Sequence, residues 1–343
     1  MPGSHDRTLS FTAALGLVLV FASGTALAQY KLIQLDSTVA GKAKHQDTLL
    51  TNAWGIAYGP QTPFWISDEG TGWSTTYDGK GDLEAVRIIV PSASSGPGSP
   101  TGIVYNGSRD FQVEDWASIF LFSTLDGTIS GWAPQSDPNA SIIAVDNSKS
   151  GAVYTGLAIT NRTSGNLIFA ADLANNKVDV YDATFSLVNS FTDPNLPAGW
   201  GPFGIQDING KVYVSFAAAD GSRGGIIDVF DEAGVMRKHH FIHAAPLDQP
   251  WGFALAPANF GALSNALLIS NNTNSGTING FNPSTGKFIG TITDSSAKPI
   301  VIHQLWGITF GGGLAVNGNT DKLYFTAGPA NNKQGTFGVI EKD

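Results

Sequence analysis

The hydrophobic and polar positions of this 343-residue chain repeat as one unit along most of its length. Each unit opens with a bulky residue, a glycine and an aliphatic or aromatic residue, and successive glycines are 47 to 55 residues apart. The six glycines are Gly55, Gly102, Gly156, Gly204, Gly252 and Gly307. Self-similarity at such a period is typical of repeat architectures, so the chain is predicted to contain six copies of one supersecondary unit.

Each copy is predicted to form four β-strands. The glycine strand is followed by an apolar run that ends in a small residue, then by a strand that ends in an aromatic residue, and then by a fourth strand such as residues 84–90, 140–145 or 236–242. Runs of four to eight β-branched and aromatic residues bounded by Gly, Pro, Asn and Asp are typical of strands, and no long stretch shows helical periodicity. We therefore predict an all-β fold, a six-bladed β-propeller with four-stranded blades.

The two ends of the repeat predict how the ring closes. The sixth copy ends after its third strand, at residues 336–341, and the apolar segment 30–35 has no unit of its own. We predict that this N-terminal strand joins the last blade as its outer strand, so that residues 29–343 form a single domain with no unpaired inner edge. The repeated glycines fit the innermost strands, where neighbouring backbones crowd the axis.

The first 28 residues follow a different pattern. No charge lies between Arg7 and Lys31, residues 11–22 are apolar, and Ala26 and Ala28 form a small-x-small pattern. This pattern predicts a signal peptide over residues 1–28, cleaved after Ala28, and a secreted or periplasmic protein without a membrane span in the mature chain. The alternative is an uncleaved anchor, for which the apolar run is short compared with the roughly 20 residues that a bilayer span needs.

Composition narrows the classes of function. The chain has no Cys, which excludes disulfides, thiol catalysis and Cys-ligated metal sites. It has 19 Lys and Arg against 28 Asp and Glu, a net charge of −9, and so lacks the basic surface that nucleic-acid binding needs. We expect a monomer whose core is held by packing alone, with no nucleic-acid partner.

The function of a propeller must be sought in its side chains, because the fold class alone does not assign one. The loops that enter the inner strands share one end of the ring with the loops between the second and third strands, and we call this end the axial mouth. The residues predicted there are aromatic, amide or acidic, with few charges. The candidate ligand-binding residues are Asn52, Trp54, Asp68, Asp172, Trp251, Asn271, Gln304 and Trp306.

One hypothesis for the axial mouth is a calcium site. Carboxylate and amide oxygens are the ligands that Ca²⁺ prefers, and the candidates that carry them are Asn52, Asp68, Asp172, Asn271 and Gln304. A central cation of this kind would serve a hydrolase of the lactonase or esterase type, in which the metal polarises the carbonyl and activates water. The simpler interpretation is that each Asp or Asn after a strand caps its own turn.

Two other hypotheses need no metal. Trp54, Trp251 and Trp306 could present their rings to a small molecule, a carbohydrate or a protein, or they could pack between blades as core. The third hypothesis is a purely structural or adhesive propeller. We favour a binding or interaction module at the axial mouth over the Ca²⁺-dependent hydrolase, and we assign no catalytic residue and no cofactor other than the conditional Ca²⁺.

Other motifs carry weaker signals. A GxGxxG pattern at 199–204 lies in a loop before a strand, without the helix N-terminus that binds a pyrophosphate. His239, His240 and His243 resemble a metal-ligand cluster, and on a regular strand His239 and His243 would share a face. Their place on an outer strand beside two cationic residues favours a role in preventing edge pairing over a zinc site. His303 lies next to the mouth, as a general base or as a bystander.

Several of these motifs together resemble a known family. They are NAWGIA at 52–57, FWISD at 64–68, PTGIV at 100–104, DGTISGW at 126–132, FTDPNLPAG at 191–199, PWGFALAP at 250–257 and LYFTAGP at 323–329. In this order they are similar to an uncharacterised bacterial family of exported six-bladed propellers, some of which carry a PEP-CTERM sorting tail. The resemblance implies the fold and export, and it brings no established activity or catalytic residue. This chain departs from it by lacking the tail and by having the amide-rich segments 271–274 and 331–332.

Overall fold

The computed structural model describes Met1, Gly3 and residues 29–343, so the predicted signal peptide lies outside the described residues apart from those two. The described chain is almost entirely β-structure, in six sheets that follow one another around a ring. This confirms the predicted six-bladed propeller. From the inner to the outer strand, blade 1 contains Ala53–Ala57, Phe64–Asp68, Trp73–Tyr77 and Ile88–Ile89; blade 2 contains Pro100–Tyr105, Phe120–Thr124, Thr128–Trp132 and Ile142–Asp146; blade 3 contains Tyr154–Ile159, Ile168–Asp172, Lys177–Tyr181 and Leu187–Phe191.

The second half of the ring has the same order of strands. Blade 4 contains Trp200–Ile208, Lys211–Ala218, Ile226–Asp231 and Met236–Ile242; blade 5 contains Pro250–Leu255, Leu267–Asn271, Ile278–Phe281 and Phe288–Thr291; blade 6 contains Leu305–Phe310, Leu323–Ala327, Thr336–Lys342 and Tyr30–Ser37. Strands within a blade are antiparallel, apart from a short parallel addition to blade 6. The outer strand of blade 1 is shorter than the predicted 84–90, because Glu84 bonds back to Thr76 in a turn-like arrangement before regular pairing begins.

Ring closure follows the prediction. Tyr30–Ser37 pairs antiparallel with Thr336–Lys342, with one register shift between Gln34 and Asp36. His45–Gln46 then adds a short parallel strand outside Tyr30–Ser37, so this sheet has five strands rather than four. The segments Tyr30–Ser37 and Thr336–Lys342 are therefore held in one sheet.

The remaining regular elements are short. A two-stranded hairpin is formed by Gln112–Val113 and Trp116–Ala117, and single turns of helix are Ser148–Ser150, Gly261–Leu263 and Pro329–Asn332. Among the helices that the structure describes, none has the length and apolar character needed to cross a membrane.

The repeated glycines explain how closely the blades meet at the axis. A Cβ atom built on Gly55 would lie 2.3 Å from the carbonyl oxygen of Thr101 in blade 2, and one on Gly204 would lie 2.0 Å from the carbonyl oxygen of Trp251 in blade 5. Real Cβ contacts do not occur at such distances, so the sequence position of each glycine is dictated by the backbone of the next blade. The predicted role of these glycines is confirmed.

The core lies between blades rather than in one central mass. The second strands are buried throughout in blades 1, 2, 3 and 5, as in Phe64–Asp68, because both faces are covered by neighbouring blades. The outer strands are largely exposed, as in Leu187–Phe191. This burial pattern explains why the second strands are continuous apolar runs, whereas the outer strands mix polar and apolar residues.

Candidate functional site

The predicted axial mouth is filled by aromatic side chains. Trp54, Phe203, Trp251 and Trp306 come from blades 1, 4, 5 and 6 and form one buried cluster, each less than 10% exposed, with Leu125 and Leu173 packed against it. Side chains from four blades can meet only at the axis. Each of the four directly precedes the glycine of its inner strand, so the cluster occupies the end at which the inner strands begin. We call these four aromatic residues the aromatic plug.

The indole rings pack on each other. The ring centroids of Trp54 and Trp306 are 3.6 Å apart and nearly parallel, and Trp251 meets Trp306 edge to face at 5.9 Å. The Trp306 Nε1–H donates to Asn52 Oδ1 at 2.9 Å, and the Trp251 Nε1–H donates across the ring to the Thr155 carbonyl at 2.8 Å. Trp54 Nε1 is buried and has no partner among the described residues. The rings are therefore core, and they do not form an exposed platform.

The acidic and amide candidates in blades 3 and 5 hold their own loops. Asp172 Oδ1 accepts the Val153 N–H at 3.0 Å, and its Oδ2 accepts the Asn175 side chain at 2.7 Å. Asn271 Oδ1 accepts the Asp248 N–H at 3.1 Å, and its Nδ2 donates to the Pro246 carbonyl at 2.6 Å. These contacts are turn caps that tie the loop entering an inner strand to the loop after the second strand.

Asp68 is fully buried in blade 1. Its Oδ2 accepts the Thr75 hydroxyl at 2.7 Å, and its Oδ1 has no partner in the part of the chain that the structure describes. Burial raises the pKa of Asp68 well above its ordinary value, and the neighbouring Asp47 carboxylate adds to this rise. The Asp68 carboxyl has no exposed surface, and one of its oxygens is already engaged by Thr75, so it is directed into blade 1 and not towards a ligand in the axial channel.

Asn52 and Gln304 have left-handed backbones immediately before their inner strands. Their φ angles are 48° and 47°, and Gln249 occupies the same place in blade 5 with a φ of 50°. The Asn52 side chain bridges Glu69, which accepts from Nδ2 at 2.7 Å, and the Trp306 indole. The Gln304 amide donates to Asn274. Asn and Gly are the usual residues in this conformation, so glutamine gave no sequence signal for it.

The eight predicted site residues thus divide into three groups. The three tryptophans meet at the axis, whereas Asp68, Asp172 and Asn271 each bond within or beside their own blade. Asn52 and Gln304 precede inner strands, where Asn52 binds the Trp306 indole and Gln304 binds Asn274. Within residues 29–343, neither Asp68 nor Asp172 belongs to a group of three or more His, Asp or Glu side chains that could share a metal. The residues of the axial mouth therefore close one end of the axial channel.

The open cavity lies at the other end of the channel, which the sequence reasoning did not consider. It has a volume of 640 Å³ and is lined by the ends of the inner strands after their glycines. We call it the exit funnel; its lining includes Ile56, Tyr58, Ile103, Tyr105, Ile159, Arg162, Gln206, Asp207, Phe253, Ile308 and Phe310. A narrow space of 30 Å³, bounded by the inner glycines and Trp251, continues from the funnel walls towards the plug. The sequence could have indicated the funnel, because an aromatic residue ends or follows the inner strand in blades 1, 2 and 6: Tyr58, Tyr105 and Phe310.

The funnel combines apolar walls with a polar rim. Arg162 forms an ion pair with Glu232, and Asp207 Oδ1 accepts the Gly210 N–H at 3.1 Å. Asp207 Oδ2 has no partner among the described residues, and burial raises the pKa of this carboxyl. The rim therefore has hydrogen-bonding groups to offer a ligand whose apolar part fills the channel.

Comparisons with known proteins support the fold and correct the family. No family model matches the chain. The chain is similar to the uncharacterized protein R648 of Acanthamoeba polyphaga mimivirus, with 29% identity over 95% of this chain and 84% of that protein. The predicted membership of a bacterial family is wrong, because the similar curated proteins are viral and no family model supports it.

Solved structures with similar folds include enzymes. A gluconolactonase from Xanthomonas campestris superposes with a TM-score of 0.56 at 14% identity, covering 94% of this chain and 93% of that one. Virginiamycin B lyase from Staphylococcus aureus superposes with a TM-score of 0.54 at 13% identity, covering 92% of this chain and all of that one. At such identities the likeness concerns the six-bladed fold alone.

Proposed function

We propose that this protein is a binding module that takes a small ligand into the exit funnel of the propeller. The observation that carries the proposal is the asymmetry of the axial channel. One end is filled by the aromatic plug, and the other opens into a cavity of 640 Å³, within the range of small-molecule sites. This moves the expected site from the axial mouth to the opposite end of the ring.

The lining indicates the class of ligand. Ile56, Ile103, Ile159 and Ile308 supply an apolar wall, and the rim offers Arg162 and other polar side chains. A ligand with an apolar body and an anionic or hydrogen-bond-accepting head matches this distribution. Because Arg162 is already paired with Glu232, a neutral polar head would bind at less cost than one that has to displace the carboxylate.

Binding is favoured over catalysis by the chemistry of the lining. Its described residues include neither His, Ser nor Lys, and Asp207 is the one carboxylate among them. The lining offers threonine and tyrosine hydroxyls without a histidine to activate them, and Glu232, whose charge acts on Asp207, is already paired with Arg162. The Ca²⁺-dependent lactonase or esterase remains the alternative, with Asp68 as its most testable residue.

Thermal denaturation with a panel of small amphiphilic ligands tests the proposal. A ligand that binds the native state alone stabilises it by about 2.7 kcal/mol at one hundred times its Kd, so a hit raises Tm in a concentration-dependent way. Gln206→Trp places a large ring at the exposed edge of the funnel and should abolish the shift. Gln112→Trp, the same change at an exposed position on the short hairpin, is the matched control and should keep the shift.

The same preparation separates the two hypotheses. Turnover of a panel of lactones and esters that needs Ca²⁺ and disappears in Asp68→Asn would replace the binding module by the hydrolase. A ligand-induced shift that survives Gln206→Trp would place the site outside the funnel and overturn the proposal.

We also propose that the protein is exported, on the strength of the apolar segment 11–22 and the small residues that end at Ala28. Expression of the full chain in a secreting host should yield a product whose N-terminal sequence starts at Gln29. A cell-retained product that keeps residues 1–28 would contradict export.

A further inference from the structure

A cluster of one aspartate and two histidines lies at the rim of the propeller, at the outer strands and not at the axial mouth. Asp193 follows the outer strand Leu187–Phe191 of blade 3, and His239 and His240 lie on the outer strand Met236–Ile242 of blade 4. One ligand atom from each of the three lies within 4.8 Å of the other two. The cluster therefore joins two neighbouring blades at their outer strands.

The backbone of blade 4 brings the two histidines together. Consecutive residues of a regular strand point to opposite faces, and the sequence accordingly predicted that His239 and His243 share one. The register shifts between Ile227 and Val229, and His240 has a left-handed φ of 46°. As a result the His239 and His240 rings stack with centroids 3.7 Å apart. A bulge of this kind re-aims a side chain, and a non-glycine residue in this conformation points to a local role.

Two of the three donor–donor distances suit a tetrahedral metal ion. Asp193 Oδ2 lies 3.0 Å from His240 Nε2 and 3.3 Å from His239 Nε2. Zinc bonds of 2.0–2.1 Å at the tetrahedral angle place the donor atoms about 3.3 Å apart. Two imidazole nitrogens and one carboxylate oxygen are a donor set that zinc takes, with a fourth position left for water.

A second buried carboxyl group points to a cation at the same place. Asp193 is 1% exposed and Asp228, on the third strand of blade 4, is fully buried. Asp228 Oδ1 accepts the backbone N–H of His240, and its Oδ2 has no partner among the described residues. Two buried acidic side chains beside each other are costly unless a positive charge compensates them.

The side-chain cations nearby are engaged elsewhere. Arg237 Nε donates to Asp231 at 2.8 Å, and Lys238 donates to the Ser284 carbonyl and lies over the Phe241 ring. Neither is paired with Asp193 or Asp228, so an ion bound beside the histidines would supply a positive charge that Arg237 and Lys238 do not.

We propose that Asp193, His239 and His240 bind a zinc ion that clips the rim of blade 3 to the rim of blade 4. Asp228 is a positioning residue, because it holds the backbone of His240 in the bulge and does not itself contact the ion. The clip would give this cysteine-free chain a cross-link between adjacent blades, made by a metal in place of a disulfide.

Zinc titration of the chelator-treated protein tests the proposal. Competition with a zinc-responsive dye should show one equivalent bound, and Zn²⁺ should raise Tm while Ca²⁺ and Mg²⁺ should not. Asp193→Asn and His240→Asn should each weaken zinc binding more than 100-fold, and asparagine tolerates the left-handed backbone at position 240. Asp228→Asn should weaken binding about tenfold, as expected for a group that acts through a ligand.

His303→Asn is the matched control, because His303 is exposed and distant from the cluster, and it should bind zinc like the unaltered protein. Circular dichroism and the metal-free Tm of each variant separate loss of a ligand from loss of folding. Cobalt gives a second readout, since a tetrahedral site absorbs strongly in the visible region. The proposal is overturned if the unaltered protein binds less than one equivalent of zinc, or if Asp193→Asn binds as tightly as the control.

Discussion

Two stacked tryptophans in the aromatic plug differ by a single hydrogen bond. The Trp306 N–H donates to Asn52, whereas the Trp54 N–H is buried without a partner. Replacing either by Phe removes the same volume and weakens the same stack, so the cavity costs should be similar. Trp306→Phe also leaves the buried Asn52 Oδ1 unpaired, which lowers the free energy of unfolding by about 1–3 kcal/mol. Trp54→Phe instead removes a buried donor that has no partner, so it carries no such additional cost.

We therefore expect Trp306→Phe to lower the free energy of unfolding by about 2 kcal/mol more than Trp54→Phe does. Urea denaturation followed by far-ultraviolet circular dichroism measures both values, and it avoids fluorescence, which the substitutions themselves change. Equal losses would show that the Asn52 bond does not stabilise the plug.

Asp36 makes stability depend on pH. Its side chain is 1% exposed, and neither carboxyl oxygen has a partner within the described chain. Burial, with the charge of Asp47, raises the pKa of Asp36 from 3.8 to about 7. As pH rises, the unfolded chain loses this proton first, so the contribution of Asp36 to stability falls between about pH 4 and pH 7 and stays low above that.

Asp36→Asn should remove this dependence. At pH 8 the variant should be more stable than the unaltered protein by about 2 kcal/mol, which is roughly half the full cost of such a shift because the asparagine amide is also buried without a hydrogen-bond partner. At pH 3.5 the two should unfold at the same denaturant concentration. Asp115→Asn, at an exposed turn, is the control, and it should change stability equally at both pH values. If Asp36→Asn raised stability as much at pH 3.5 as at pH 8, Asp36 would not be the source of the pH dependence.

Residue types at the mouth could be predicted from the sequence, but their environment could not. Asp172 and Asn271 follow a strand as expected, and turn capping was the simpler interpretation from the start. As sequence positions, Trp54 and Trp306 are equally consistent with an exposed platform and with a buried plug, since an indole ring occurs in both environments. Which one forms depends on how four blades converge, and that is a property of the whole ring.

The inner-strand glycines differ in the space that is available for an added Cβ atom. A Cβ on Gly204 would lie 2.0 Å from the Trp251 carbonyl oxygen, whereas one on Gly156 would lie 3.1 Å from the Phe203 carbonyl oxygen. Neither glycine has a left-handed backbone, so the cost of alanine at each position depends on the space available for its Cβ atom alone. We expect Gly204→Ala to cost more than 3 kcal/mol, as overpacking against backbone does, and Gly156→Ala to stay within about 1 kcal/mol of the unaltered protein.

Thermal and urea unfolding of the two alanine variants, made side by side, measure this difference. Both variants replace glycine by alanine in an inner strand, and both gain the same stability from the lower conformational entropy of the unfolded chain. Each variant therefore serves as the control of the other. A Gly204→Ala variant as stable as Gly156→Ala would mean that the blades separate at the axis more easily than the contact distances imply.

The sequence predicted the positions of the strands better than the positions of the bulges within them. Runs such as Phe64–Asp68 are apolar and bounded by turn residues, and the structure places strands there. The bulge at His240 had no such signal, because the strand pattern continues through it and a left-handed backbone is uncommon for any residue other than glycine. The candidate zinc site depends on that bulge, which is why spacing alone paired His239 with His243 instead of His240.

The whole ring depends on one strand that comes from the other end of the chain. Tyr30–Ser37 covers the edge of Thr336–Lys342, and the Tyr30 hydroxyl donates to the Phe260 carbonyl at 2.6 Å. The Tyr30 N–H also donates to the Thr293 carbonyl at 3.0 Å, so this strand links blade 6 to blade 5. A chain that begins at residue 38 would expose an unpaired edge and an apolar groove, which favour opening and edge-to-edge association.

We expect the chain 38–343 to unfold at a Tm at least 10 °C lower than the chain 29–343, or to aggregate, and a synthetic peptide of residues 29–37 to restore Tm when added in excess. Restoration follows because a free strand can pair with an exposed edge as the covalent one does, with binding energy added by mass action. A peptide with Leu32→Asp and Leu35→Asp keeps the length but cannot bury its apolar face, and it should restore nothing. An unchanged Tm for 38–343 without peptide would show that three strands suffice for blade 6, and closure by the N-terminal strand would then not be what holds the ring together.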